Sequence, residues 1–373
     1  MTISTSPNEH KQLKDVLKHL VLNPKDTAPQ HVASGMRLIM RGEASDAQMG
    51  GFLTALRLLG VDRRPEMIAA LASEAHKHAL IPLLEIDGKS RADFGTVAEI
   101  VGTGGDGWNT FNISTTSSLV AAAAGLLVAK HGSRASSSNC GSADLLESMG
   151  CDLDAVSPSD VAELLSEHRF CFLFASTFHP SMRCLARTRS ELGFPTPFNV
   201  LGPLINPVVP DRAVIGVHSK ALGPVMAEAL RILGRRNYAV VCGDENLDEI
   251  SIAGDTHVWH IRESGDIDNY TIHPRDFGVA AHPLSAAAGA TLEENKATLQ
   301  RLLSNELEDR DIATRDFVLV NTGFLLHIGG IASSMEEGAV IARQTLEAGK
   351  VKKLLENFAA ATRTRHKSDI VGV

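Results

Sequence analysis

Lys130, His131 and Arg134 fall close together, and serines at 133, 136, 137, 138 and 142 share their segment, KHGSRASSSNCGSADLLE (130–147). That mixture suits an oligophosphate, because ammonium and guanidinium groups neutralise phosphate oxygens while hydroxyls each donate a hydrogen bond. A second segment, GTGGDGWNTFNIST (102–115), sets four glycines and Asp106 ahead of Asn112, Ser114 and Thr115, where an apolar helical run, Ser117–Ala124, begins. Glycine lets backbone N–H groups approach an anion closely, and the unpaired N–H groups of a helix start add a positive pole. The two segments together read as a multi-phosphate site. A tight turn that only caps a helix would not need Lys130, His131 and Arg134 as well.

Nucleotide motifs fit less well. Gly102-x-Gly104-x-x-Gly107 matches a dinucleotide fingerprint, but Trp108 to Asn112 keep the chain irregular where a helix should already run. The next strand ends in Lys130 rather than in a ribose-binding acid. The spacing Gly102-x-x-x-x-Gly107 opens like a P-loop but continues Trp108-Asn109 instead of Lys-Ser/Thr.

The elements that must position these residues are legible from periodicity. Apolar positions recur at helical spacing from about Leu13 to Ala79, and Ser45 with Gln48 forms a capping-box pattern for a helix ending near Gly60. After the charged link EIDGKSRAD, β-rich runs at 97–101, 126–130, 170–175, 213–217 and 238–242 alternate with helical segments such as Asp160–Glu167 and Gly223–Leu233. That alternation predicts a largely parallel sheet, with HVWHI and NYTIHP as an added hairpin and helices at 293–303, 315–328 and 335–358. The expected fold class is α/β: a large α/β domain (91–373) with a mostly parallel central sheet, plus a smaller all-helical domain (1–90).

Composition narrows the partners. The 373 residues exceed a usual single core, with 44% hydrophobic and 21% charged residues. A net charge of −8 argues against a nucleic-acid or anionic-membrane partner bound across the whole surface. Five cysteines without a C-x-x-C pair suit reduced, packed thiols. MTISTSPNEHKQ lacks the features of a secretory signal, and no apolar run approaches the ~20 residues that span a bilayer, so a soluble cytoplasmic protein is expected.

Further motifs extend the pattern: HPSM at 179–182 with a following arginine, FNVLGPLINP at 198–207 and CGDENLDEIS at 242–251. With G-T-G-G-D, N-x-S-T and K-H-G-x-R-A they stand in the order of the anthranilate phosphoribosyltransferase family, which the chain resembles over nearly its whole length. The resemblance implies transfer of a phosphoribosyl group from 5-phosphoribosyl 1-pyrophosphate to the amine of anthranilate, with Mg²⁺, two ions per site. It assigns Gly102, Gly105, Asp106, Thr110, Asn112, Ser114, Thr115, Lys130, Ser138 and Ser142 to the phosphoribosyl donor. Gly102, Ser133, Arg189 and Pro203 fall to anthranilate, and Lys130, His131 and Arg189 to catalysis.

The same resemblance gives Asp248 and Glu249 one Mg²⁺ and Ser114 a part in another. By itself the D-E pair reads as a solvated acidic turn, Arg189 as a surface arginine, and His131 as a packed residue with a positional role. An inserted helical segment around 182–201 would join the helical domain, and the family implies a homodimer through that domain. Three positions depart from the pattern: Ser133 replaces the usual asparagine, offering one hydroxyl for a whole amide, Cys140 replaces a serine, and Pro195 stands before Thr196 where many relatives carry arginine. Two rival readings are a pyrimidine nucleoside phosphorylase-like enzyme, which needs no acidic metal pair, and a non-catalytic nucleic-acid-binding relative, which would show a basic face.

Overall fold

The computed structural model describes residues 12–85, 90–135 and 140–365. The chain starts with four helices, α1 (Leu13–Leu22), α2 (Pro29–Met40), α3 (Asp46–Leu58) and α4 (Pro65–Lys77). The capping box of α3 forms: Gln48 N donates to Ser45 Oγ at 3.4 Å and Ser45 N to Gln48 Oε1 at 3.0 Å. Such caps contribute about 1 kcal/mol by satisfying otherwise unpaired helix N–H groups.

The chain continues through β1 (Val97–Gly102), α5 (Ile113–Ala123), β2 (Leu127–Gly132), α6 (Ser142–Ser148), α7 (Val161–His168) and β3 (Phe170–Phe174). Then come α8 (Ala175–Phe178), α9 (Arg183–Leu192), β4 (Arg212–Gly216), α10 (Leu222–Ile232), β5 (Tyr238–Gly243) and the hairpin β6 (Thr256–Ile261) and β7 (Ile267–Ile272). The last four helices are α11 (Leu292–Ser304), α12 (Ile312–Ile328), α13 (Met335–Glu347) and α14 (Lys350–Thr364). The helical stretch expected over 335–358 is therefore two helices. Gly349 takes a φ of 67°, which ends one and re-aims the next.

Among the described residues the sheet has seven strands in the order β3-β2-β1-β4-β5-β6-β7; the first five are parallel and the hairpin is antiparallel. The five parallel strands are mostly apolar and buried on both faces because both faces are covered. Alternate residues serve opposite cores: Val214, Ala239 and Val241 pack with α5 and α12, whereas Ala213, Ile215, Val240 and Cys242 pack with α10 and the N-terminal helices. Leu185 of α9 and Phe198 join that second core.

From β1 the chain winds outward through β2 to β3, then returns to place β4 on the other flank of β1. The strand order thus reverses between β1 and β4. In open α/β sheets, ligands bind outside the carboxyl ends of the strands at such a reversal.

Candidate active site

The glycine loop leaves the carboxyl end of β1 at that reversal. Gly104, Gly105 and Gly107 have φ of 69°, 80° and 79°, a region that costs other residues ~1 kcal/mol or more. Residues 108–112 stay irregular, as the sequence implied, but α5 starts at Ile113 behind Asn112, four residues earlier than the apolar run. Ser114 and Thr115 therefore lie in its first turn, with Thr115 buried.

Asp248 sits in the crevice between the ends of β1 and β4. A Cβ on Gly102 would collide with its carboxylate, and one on Gly216 with its carbonyl. The carboxylate accepts from Gly104 N at 2.6 Å, and Asp248 N donates to Asp106 Oδ2 at 3.4 Å. Trp108 ties the loop down twice, its N donating to Asp106 Oδ1 at 3.0 Å and its indole Nε1 to the Glu245 carbonyl at 2.9 Å. Glu249 accepts from Ser114 N at 3.1 Å, so its charge faces the positive end of α5.

Lys130 reaches the same place from β2. It is 1% exposed, and its Nζ donates to the Ile100 carbonyl at 2.8 Å and to Ser114 Oγ at 3.4 Å. Burial lowers its pKa, and the charges of Glu99, Glu249 and Asp248 oppose that. Burial and then the neighbouring Asp106 push Asp248 up to about 7, and burial and then Asp248 raise Glu249 well above the usual carboxylate range. Acidic groups thus share a space where Lys130 is the principal cation.

Of the other positions expected to meet the donor, Asn112, Ser142 and Thr110 are among the described residues. Asn112 Nδ2 donates to the Cys140 carbonyl at 2.9 Å, which brings the end of the serine-rich segment beside the loop. Ser142 opens α6 and lies against Gly132. Thr110 sits on the rim, its backbone bridging to Ala288. Ser138 lies outside the described residues. Arg134 is engaged elsewhere: Glu147 and Asp154 pair with its guanidinium, which also stacks over Phe174 at 4.5 Å.

A second group gathers around residues 196–204. His131 Nδ1 donates to the Gly202 carbonyl at 3.2 Å, and its Nε2 has no partner among the described residues. His179 meets it edge to face at 5.0 Å, and neither of its ring nitrogens has a hydrogen-bond partner there either. Burial lowers these pKa values to about 3 for His131 and about 4 for His179, so both are neutral near pH 7. Pro203 is buried in the short turn after Gly202.

Arg189, on α9, donates from Nη2 to Asn199 Oδ1 at 3.4 Å and pairs with no carboxylate among the described residues. Burial lowers its pKa. Ser133 is exposed, with its carbonyl accepting from Ala143 N at 3.2 Å.

Three neighbours of this site were not assigned roles from sequence. His179 stood only as a letter of HPSM. Trp108 read as the residue that spoils a P-loop, and Glu99 as one polar letter in an apolar strand. Glu99 is 1% exposed, accepts from His131 N at 2.9 Å, and is pushed up to about 7 by burial.

Comparison with known proteins places this arrangement. Residues 95–352 match the glycosyl transferase family a/b domain and residues 14–79 its helical bundle domain. The anthranilate phosphoribosyltransferase of Schizosaccharomyces pombe is 42% identical, the match covering 88% of this chain and 91% of that one. The chain belongs to the anthranilate phosphoribosyltransferase family. Two solved members of that family share the fold.

The enzyme from Saccharomyces cerevisiae in complex with PRPP and Mg is 32% identical with a TM-score of 0.85, over 94% of this chain and 98% of that one. The enzyme from Thermus thermophilus is 40% identical with a TM-score of 0.82, over 94% and 99%. As a member of the family, the chain is a phosphoribosyl-transferring enzyme with a helical bundle and a mostly parallel α/β domain. Among its described residues no helix is long and apolar enough to cross a membrane.

Proposed function

We propose that this enzyme transfers the phosphoribosyl group of 5-phosphoribosyl 1-pyrophosphate to the amine of anthranilate, forming N-(5-phosphoribosyl)anthranilate and pyrophosphate in tryptophan biosynthesis. One observation carries the reading: the glycine loop, the first turn of α5, Lys130 and the Asp248–Glu249 pair form a single hydrogen-bonded group at the β1/β4 reversal. The C1–O bond to pyrophosphate breaks as the N–C1 bond forms, so the site must neutralise charge growing on the leaving group. Electrostatic positioning is the main resource for that.

Gly102, Gly105, Asp106, Thr110, Asn112, Ser114, Thr115, Ser138 and Ser142 would surround the donor, with Lys130 against its phosphates. Mg²⁺ fits this donor set, because Asp248, Glu249 and Asp106 crowd negative charge that Lys130 alone does not balance. Among the described residues no three acidic, histidine or cysteine side chains form a ready-made cage, which suits an ion that borrows substrate phosphates. Asp248 and Glu249 would hold one ion and Ser114 would contribute to a second. When bound, the ions supply charge neutralisation at the pyrophosphate.

On the acceptor side, the Arg189 guanidinium would take the anthranilate carboxylate as a two-pronged partner. Gly102, Ser133 and Pro203 would line its ring and amine. An aromatic amine is already neutral near pH 7 and needs no strong base. His131, held neutral by burial with Nε2 as a free acceptor, suits a hydrogen bond to that amine. The proton leaves the amine during or after attack.

A cytoplasmic homodimer is the assembly we expect. Val21, Leu22 and Leu58 on the early helices are 66%, 64% and 83% exposed, which supports a contact there. The test of function follows anthranilate fluorescence with and without donor and Mg²⁺. Loss of signal only with both is expected. No loss under any condition, or turnover of pyrimidine nucleosides with phosphate, would overturn the reading.

A further inference from the structure

Helix α12, IATRDFVLVNTGFLLHI, is buried almost all round, yet its middle carries Asn321 at 0% exposure. Asparagine is a weak helix former, and burying an amide without partners costs more than burying a hydrocarbon. The side chain must be satisfied, and the way it is satisfied points to a purpose. Its Oδ1 accepts from Ile250 N at 3.0 Å, while its Nδ2 donates to the Ile250 carbonyl at 3.0 Å and to Phe317 O at 3.1 Å.

One amide therefore holds both backbone groups of one residue 71 positions away, as a neighbouring strand would. Ile250 directly follows Asp248 and Glu249. The segment 247–253 runs between β5 and β6 outside the sheet; besides the loop-side bonds of Asp248 and Glu249, its ties include Gly243 N to Leu247 O at 2.9 Å, Ser251 N to Thr256 Oγ1 at 2.8 Å and His282 N to Ile252 O at 3.0 Å.

We propose that Asn321 is the positioning residue of the Asp248–Glu249 pair. It fixes the backbone behind the carboxylates from the core side, while Gly104 N and Ser114 N fix the carboxylates from the loop side. The inference rests on the metal-binding reading of that pair in its functional consequence, but its structural part stands alone.

The variants Asn321→Ala and Asn321→Asp test it, the second being isosteric and keeping the acceptor toward Ile250 N. Thr322→Val is the control, a volume-conserving change of a buried hydroxyl without a partner in the same helical turn. In Asn321→Ala the Mg²⁺ concentration for half-maximal rate should rise roughly tenfold or more, the usual effect of losing a group that orients metal ligands. The anthranilate KM should stay within about twofold, because the acceptor wall is elsewhere.

Hydrogen exchange of the 247–253 peptide, measured without metal or substrates, should quicken in Asn321→Ala and, to a smaller extent, in Asn321→Asp. Thr322→Val should leave both readouts at the wild-type values. Folded Asn321 variants with unchanged exchange and Mg²⁺ dependence would overturn the proposal, as would equal effects from Thr322→Val. A wild-type enzyme that ignores anthranilate would sink the functional reading, while the exchange result would still decide the structural one.

Discussion

Around Asp248, polar groups from separate segments meet one another: Gly104 N, Asp106, Ser114 N, Glu249, Lys130 and Ile100 O form a continuous circuit, with Asn112 Oδ1 a buried atom left out of it. Around Arg189 the same groups are sparse. His131 Nε2 and both His179 ring nitrogens lack partners among the described residues, and Arg189 makes one 3.4 Å contact to an amide. On the proposed function the first group would receive the donor, and holding several acidic groups in a low-dielectric crevice before a highly charged substrate arrives calls for wiring in advance. The second group would receive a flat ring with one carboxylate, for which shape plus one cation suffices. Damage to the first half should therefore appear in the rate with donor, and damage to the second in acceptor affinity.

Lys130→Met is the sharpest way to break that contrast. Removing the buried cation should lower kcat/KM for the donor by about a thousandfold, as for other preorganised charge-stabilising groups, while the acceptor KM changes little. Steady-state kinetics with each substrate varied would check it; a dominant acceptor effect would erase the division. Arg189→Ala should do the reverse, raising the anthranilate KM by roughly 10- to 100-fold through loss of a charge-assisted pair, with the donor KM unchanged.

Glu99→Gln probes the seam between the halves, since Glu99 accepts from His131 N and its charge favours the charged form of Lys130. Its folded pKa, about 7, lies above the ordinary 4.5, so the folded state holds the proton more tightly. Stability from this group is full below pH 4.5 and is lost as pH rises through 7. The variant should therefore be more stable than wild type by about 1–3 kcal/mol above pH 7, with the difference vanishing in acid. Denaturant unfolding at both pH values would show it, and a stability difference that is independent of pH would contradict the assignment.

Trp108→Phe loses one indole hydrogen bond to Glu245, and we expect a donor KM only about fivefold higher. The smallest effect is expected for Ser133→Asn. Restoring the family amide should lower the anthranilate KM by a few-fold, about one hydrogen bond's worth. An unchanged KM would show that Ser133 does not face the acceptor.

Local requirements were legible in the residues. The irregular 108–112 stretch, the apolar parallel strands and the α3 capping box each depend on a few adjacent side chains, and the structure carries all of them. The motif order was enough to suggest the family. Boundaries set by a single backbone conformation were less legible, as at Gly349, where an amphipathic pattern runs straight through a break between two helices.

What the sequence determined by itself was the inventory: a glycine loop, a lysine at a strand end, an acidic pair and a helix start, together enough to predict a phosphate site. Only the tertiary structure decided which charges share one space. It drew Arg134 away to Glu147 and Asp154, set Asp248 over two glycines from different strands, and joined His179 to His131. Backbone preferences act over one to four residues and are written in order along the chain. Charge interaction and burial depend on distance through space, and that distance is set only when β1 and β4 come side by side.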